Sequence, residues 1–397
     1  MDFRYTAEEE AFRKEVRDFL DKELPPGWMG VDPGPEEESS GKEVYLLAQK
    51  MWRKFGEKNW IGLTWPKAYG GQEASIWKEM ILLQELAYRG SPGMDLAIAQ
   101  ADMILHFGTE EQKKKYVIPI TRGEVKWAIG MSEPNAGTDT FNVQLKAVEE
   151  ADCYVINGQK IWTSGGHNAK YMMTYSRTDP TNKHMGLSVI IVDLKSPGIT
   201  MRQIVQATGI PAFCEVFFDN VKVPKENLLG KKNGGWEILL FAFGAERTYG
   251  LFIIYNAKRY LEQLVQYCKE TKDADGVPLA RDPIIRGRLA QLAIDIEVGM
   301  NIGHELNWMA TKGMPTVKPS AQIKVHGGAL SQRLGNLGQQ ILGLYGPLTE
   351  DSKWVKLRGR IRHTYISALS FTLAGGTTET SKNHIAGKTG LGLPKQR

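Results

Sequence analysis

Residues 128–166 read AIGMSEPNAGTDTFNVQLKAVEEADCYVINGQKIWTSGG. The stretch opens on a turn of small and polar residues, Glu133-Pro134-Asn135-Ala136-Gly137-Thr138-Asp139, and runs on through β-type alternation. Asn157-Gly158 marks a second turn before the polar-aromatic run Ile161-Trp162-Thr163-Ser164. Pro-Asn and Asn-Gly steps supply turn conformations. Two turns therefore present backbone amides, hydroxyls and one indole at strand ends, a pattern that either turn alone would equally share with ordinary β-turns of a strand-rich domain.

Outward from this stretch the texture changes twice. Over 124–223 short apolar runs recur at 155–156, 171–175, 187–192 and 215–218, with turn clusters at 179–182 and 196–198. That spacing predicts an antiparallel sandwich or barrel. Before it, helical patterns cover 44–59, 75–89, 94–106 and 109–120. Thr6 and Glu9 form a capping box, Thr109 is an N-cap, and 32–42 is a polar loop. After it, 238–270, 282–310, 319–342 and 354–371 predict an antiparallel helical bundle. The expected class is α+β: an N-terminal helical domain (1–122), a middle antiparallel β-domain (123–229) and a C-terminal four-helix bundle (230–397).

Composition narrows the function classes. The chain has 397 residues, 42% apolar and 24% charged, with a net charge of +5. These values predict a soluble globular protein of several packed domains. Its densest charge run, Glu110-Glu111-Gln112-Lys113-Lys114-Lys115, has mixed sign and reads as a solvated helix face, which argues against nucleic acid. Cys153, Cys214 and Cys268 are scattered and odd in number, so they read as buried hydrophobes in a reducing, cytoplasmic setting. The seven histidines show no HExxH spacing, so no metal site is expected. A signal peptide and an apolar run long enough for a membrane helix are not evident.

Six motifs in order carry a resemblance: GLTWPKAYGG (62–71), HFGTEEQKKKY (106–116), MSEPNAGTDT (131–140), INGQKIWTSGG (156–166), FDNVKVPKENLLG (218–230) and AGGTTETSKNHIAGKTGLGLPK (374–395). Together they make the whole chain resemble the acyl-CoA dehydrogenase family. The resemblance implies an FAD-dependent enzyme that removes two hydrogens from a coenzyme A thioester, passes electrons to an electron-transfer flavoprotein and assembles as a tetramer. No GxGxxG follows a strand, so the dinucleotide would not sit on a Rossmann turn.

By the same resemblance, Ile129, Met131 and Ser132 line the flavin ring, and Gly137 and Thr138 approach ligand and cofactor phosphates. Trp162 and Ser164 pack on the isoalloxazine. Arg281, Thr377 and Glu379 join the cofactor-binding set. Gln340 and Gly343 match a cross-subunit adenylate motif, from which the chain departs by carrying Leu344 in place of a second glycine.

The reaction needs a carboxylate to take the proton alpha to the thioester, and burial beside an acyl chain raises a glutamate toward working pH. Many family members carry that glutamate where this chain has Gly375. Others carry it on the first helix of the C-terminal bundle, just before an arginine, and here Glu246-Arg247 stands in that place amid apolar neighbours. Glu246 is thus the candidate base, beside Arg247, with Gly375 retaining a main-chain N–H for the thioester oxygen. Asp95 or Asp102 is a second candidate. Absence of a side chain at Gly375 leaves space for a bulky, branched or ring-bearing acyl group, for which benzylsuccinyl-CoA is an aryl-substituted example. Two other classes stay open: a base-deficient partner subunit of a mixed complex, and an acyl-CoA oxidase.

Overall fold

An eight-stranded sheet occupies the middle of the chain, with helices before and after it. The computed structural model describes residues 3–31, 41–95, 97–245, 247–387 and 390–393, without the side chains of 243–249. Most of the loop expected over 32–42 therefore lies outside the described residues. In order, the main helices are α1 (Ala7–Glu23), α2 (Lys42–Glu57), α3 (Ile76–Arg89) and α4 (Ala97–Phe107). The sheet follows, and then come α5 (Gly235–Ala245), α6 (Arg247–Glu270), α7 (Pro283–Thr311), α8 (Val317–Leu342), α9 (Arg360–Ser367) and α10 (Thr378–Ala386).

The chain divides into two compact units. The described residues of Gly34–Ser75 and Pro92–Glu246 make one, and those of Met1–Pro33, Ile76–Ser91 and Arg247–Arg397 make the other. Within the N-terminal third, α2 and α4 thus group with the sheet, whereas α1 and α3 group with the C-terminal helices.

In the sheet unit, β1 (Trp127–Gly130), β2 (Lys146–Glu149), β3 (Cys153–Ser164), β4 (Tyr171–Arg177), β5 (Leu187–Asp193), β6 (Ile199–Ile204), β7 (Phe213–Pro224) and β8 (Leu228–Leu229) form one sheet. The order is β6-β7-β3-β2-β4-β5-β8, with β1 paired to β4. Most ladders are antiparallel, but β1–β4 and β2–β4 are parallel, so the sheet is mixed where alternation alone suggested antiparallel pairing throughout. Alternation reports which face is buried and is silent on strand direction. Ala128, Ile156, Met172, Ile190, Cys214 and Val216, each with no exposed surface, form its core.

Asn157-Gly158 is not a turn between strands. It lies inside the 12-residue β3, where the register against β7 shifts between Ile156 and Gly158. Gly158 sits at φ +132°. Ile156 faces Val221 and Gly158 faces Phe218, so the extra residue lies in β7 at Asp219-Asn220, with Asn220 at φ +50°, and β3 continues as a strand opposite this bulge.

In the other unit α1 begins with the expected capping box, Thr6 accepting from the Glu9 amide and Glu9 reaching back. Helices α3, α6, α7 and α8 share a core that includes Met80, Ile254, Leu264, Leu330 and Leu334. Two glycines let α9 lie against α8: a Cβ at Gly335 would stand 2.8 Å from the Tyr365 Cα, and one at Gly338 would stand 2.7 Å from the Ile361 side chain.

The helix expected over 354–371 is shorter than its pattern. Leu357, Arg358 and Gly359 all have positive φ, so α9 starts only at Arg360. Over 238–270 the described residues are helical, α5 to Ala245 and α6 from Arg247. No helix among the described residues is long and apolar enough to cross a membrane. Cys153, Cys214 and Cys268 are free and buried.

Candidate functional site

In the sheet unit, β1 delivers Ile129 and runs into Met131 and Ser132, all half-buried. The turn that follows closes on itself, Glu133 N–H donating to Ala136 O (2.9 Å) and Ala136 N–H to Glu133 O (3.0 Å). Beneath it lies Lys160 of β3, with no exposed surface. Its Nζ donates to Met131 O (3.0 Å) and to Glu133 Oε1 (2.8 Å). Glu133 also accepts from the amides of Gln144 (2.7 Å) and Leu145 (2.9 Å). A buried ammonium is costly unless paired; burial pulls the Lys160 pKa down to about 8, against the opposing pull of Glu133.

The Lys160–Glu133 pair therefore pins the carbonyl of Met131 and both ends of the turn. Ile161 N–H donates to Ser132 O (2.9 Å), a second tie between β3 and the segment 131–133. Beyond the turn, buried Arg177 holds the following loop through the carbonyls of Phe141 (2.6 Å) and Val143 (3.0 Å). Gly137 and Thr138 project from this framework, exposed, with open space where a Gly137 Cβ would be.

A second register shift in β3, between Lys160 and Thr163, turns Trp162 outward. Trp162 has φ +59°, uncommon for a bulky residue. Its side chain is 56% exposed, braced edge-on by Phe213 at 6.2 Å. An indole in the hydrophobic core would be the ordinary fate of tryptophan; here the backbone holds it out. The hydroxyls of Ser132, Thr138 and Ser164 make no hydrogen bond among the described residues. An open aromatic face, uncommitted hydroxyls and an amide-bearing turn on a rigid support fit a flavin dinucleotide.

Two acidic candidates from the helices have other partners. The Asp95 side chain is 13% exposed, and its Oδ1 accepts from the amides of Ala97 (2.8 Å), at the start of α4, and Trp127 (3.4 Å), at the start of β1. It caps one element and anchors another. Burial pushes its pKa up to about 7, against the two amide hydrogen bonds. Asp102 accepts from Trp65 Nε1 at 2.6 Å.

The helical unit brings together a second group. Segment 370–374 is a helical turn, with Ala374 N–H donating to Ser370 O (2.9 Å). Gly375 and Gly376 then reverse the chain at φ +63° and +87°. Thr377 caps α10, its Oγ1 accepting from the Thr380 amide at 3.1 Å. Glu379 is exposed in the first turn of α10. The Gly375 N–H meets no backbone carbonyl among the described residues.

Gly343 ends α8 at φ +55° beside Leu344, which is 93% exposed. Gln340 accepts from the guanidinium of Arg288 on α7, and Arg281 is exposed on the 3-10 turn before α7. Arg247 opens α6 in backbone only. Glu246 lies outside the described residues, as does the Arg247 side chain.

Lys160, Arg288 and Lys324 were not singled out by sequence reasoning. For Lys160 a signal exists: it keeps the strand parity of the buried Tyr154 and Ile156, so a charge stands in an inward position.

Comparison with known proteins agrees with this geometry. The acyl-CoA dehydrogenase N-terminal, middle and C-terminal domain families match residues 6–124, 128–221 and 233–389. Acyl-CoA dehydrogenase FadE26 of Mycobacterium tuberculosis is 32% identical, the match covering 100% of this chain and 99% of that one. Among solved structures, the Tcur3481-Tcur3483 steroid ACAD is similar with a TM-score of 0.88 at 27% identity, over 100% of both chains. The ChsE4-ChsE5 complex from Mycobacterium tuberculosis is similar with a TM-score of 0.86 at 31% identity, also over 100% of both. Three consecutive domain matches and a relative similar end to end leave one conclusion: this chain belongs to the acyl-CoA dehydrogenase family, FAD-dependent oxidoreductases that dehydrogenate acyl-CoA thioesters.

Proposed function

We propose that the chain introduces an alpha,beta double bond into a coenzyme A thioester whose acyl group is bulky, branched or ring-bearing, with Glu246 taking the alpha proton. The observation that carries this reading is Gly375: where many relatives place a carboxylate, this chain has an exposed glycine at φ +63°, a conformation that disfavours any side chain. Both the missing carboxylate and the room it leaves follow from that one position. Asp95 is the weaker alternative because its carboxyl already serves two backbone amides.

In this reading the Gly375 N–H receives the thioester oxygen as negative charge gathers there. Bound FAD supplies the acceptor for the hydrogen leaving the beta carbon. Trp162 presents the aromatic face for the flavin ring, Ile129, Met131, Ser132 and Ser164 line it, and Gly137 and Thr138 receive phosphate. Arg281, Gln340, Gly343, Thr377 and Glu379 complete the cofactor contacts, with Arg247 beside the base. Electron-transfer flavoprotein takes the electrons onward, and the assembly is a tetramer.

Two of the similar structures carry paired names, one of them a steroid enzyme, and this favours two extensions. A polycyclic acyl group belongs with aryl groups such as benzylsuccinyl among candidate substrates, and a second subunit type belongs among candidate partners. The test is dye reduction by the purified chain against straight, branched, aryl-substituted and polycyclic acyl-CoAs, with Glu246→Gln alongside. Ring-bearing thioesters should bleach the dye. The Glu246→Gln protein should keep its bound flavin and lose about 10²- to 10⁴-fold in kcat.

Turnover near wild type in the variant removes Glu246 as the base. Flavin-loaded protein inert to every thioester points to a partner subunit, and oxygen uptake matched to turnover points to an oxidase.

A further inference from the structure

Residues 371–374 end a helical turn, and such ends leave main-chain carbonyls without partners. Here one side chain gathers two of them. Lys324, half-buried on α8, donates from Nζ to Phe371 O (2.6 Å) and to Ala374 O. Gly328, one turn further along α8, makes room for this contact, since a Cβ there would stand 3.3 Å from Phe371 O.

The second contact has a chemical consequence. Ala374 C=O and Gly375 N–H belong to the same peptide group, a planar unit in which electron density is shared between oxygen and nitrogen. A cation on the oxygen draws density from the nitrogen and makes the N–H a stronger donor, as hydrogen-bonded chains polarise one another. Charge-assisted bonds of this kind are about twice as strong as neutral ones. The same contact fixes the plane of a peptide that leads into Gly375-Gly376, the segment with the greatest backbone freedom in the loop.

We propose that Lys324 is a positioning residue for the thioester carbonyl: its ammonium orients and polarises the 374–375 peptide so that the Gly375 N–H is aimed and strengthened as the oxygen's donor. This rests on the reading of Gly375 given above. In the proposed role Lys324 requires no contact with substrate or cofactor. It acts through one peptide bond.

The test compares a ligand that has the carbonyl with one that lacks it. trans-2-Octenoyl-CoA and the thioether S-octyl-CoA are titrated calorimetrically into FAD-loaded wild type, Lys324→Met and Lys324→Arg, and the carbonyl stretch of the bound enoyl-CoA is recorded by difference infrared spectroscopy. In Lys324→Met, octenoyl-CoA should bind about fivefold more weakly, the net worth of the neutral Gly375 N–H bond to the thioester oxygen once its aim and polarisation are lost. S-octyl-CoA should stay within about twofold, and the carbonyl stretch should return toward its solution frequency. Lys324→Arg should restore both.

Equal losses for the two ligands reduce Lys324 to a structural role and overturn the proposal. An unchanged carbonyl stretch in Lys324→Met overturns it also. If wild type itself shows no carbonyl shift and no preference for the thioester, the Gly375 reading fails first and takes this proposal with it.

Discussion

Replacing Lys160 by methionine tests the support under the flavin platform. Methionine keeps the length of the side chain and fits an apolar core, so the change deletes a charge and creates little empty space. Glu133 is then left 9% exposed without its counterion. Breaking a buried ion pair from one side costs about 3–5 kcal/mol. Glu133 keeps the amides of Gln144 and Leu145, which places the expected loss near the lower end. For a unit of this size that corresponds to a fall in Tm of about 6–12 °C. Adding Glu133→Gln removes the stranded charge while leaving an acceptor for one of the two amides. The double variant should therefore recover most of the stability, because replacing both members of a buried pair is often nearly neutral. Urea and thermal unfolding of wild type, both single variants and the double variant form the cycle. FAD affinity, measured in parallel, should fall in Lys160→Met because the Met131 carbonyl loses its tether. A single variant costing under about 1 kcal/mol, or a double variant costing the sum of the singles, would refute the reasoning.

Two further outcomes follow from individual side chains. Trp162→Ala should lower FAD affinity about tenfold, an aromatic contact being worth roughly 0.5–1.5 kcal/mol beyond its area. Apoprotein stability should hardly move, because the indole is already 56% exposed. Unchanged FAD affinity by calorimetry would remove Trp162 from the platform. Asp95 predicts a pH dependence: its folded pKa is about 7 against an ordinary 3.8. Between those values the folded protein holds a proton that the unfolded chain has released, so stability falls as pH rises from about 4 to 7. Lys126 is a charged group facing it, with Nζ 4.0 Å from Oδ2, while the amides of Ala97 and Trp127 oppose the shift that burial causes. Asp95→Asn should abolish the fall, a difference on the order of 3 kcal/mol across the window. Parallel urea-midpoint profiles for wild type and variant from pH 4.5 to 7.5 would contradict this account.

How far such features were legible in the sequence depended on the range of the interaction that decides them. Thr6 with Glu9 closes the expected capping box, and Thr109 is the expected N-cap, with Gln112 reaching back to complete a second box. Asn157-Gly158 has an equally local signature, yet β2 and β7 pair on either side of it and keep it in strand, opposite a bulge in β7. Trp354, Leu357 and Ile361 keep helical spacing, but positive φ at 357–359 delays α9 until Arg360; Gly359 was the only local sign of it. The candidate site divides in the same way. Motif order pointed to the proposed flavin-facing residues because they sit in short contiguous runs. The groups that hold them do not: Lys160 is 27 positions from Glu133, and Lys324 is 50 positions from Ala374. A lysine read in isolation is an exposed charge, and only the fold shows which carbonyl its ammonium meets. The residues proposed to touch ligand were therefore readable one motif at a time, whereas those that hold them required a partner distant in the chain. That second set bears most directly on the chemistry proposed for this chain. Under the role proposed for Gly375, the donor quality of its N–H depends on Lys324, a residue no motif contains.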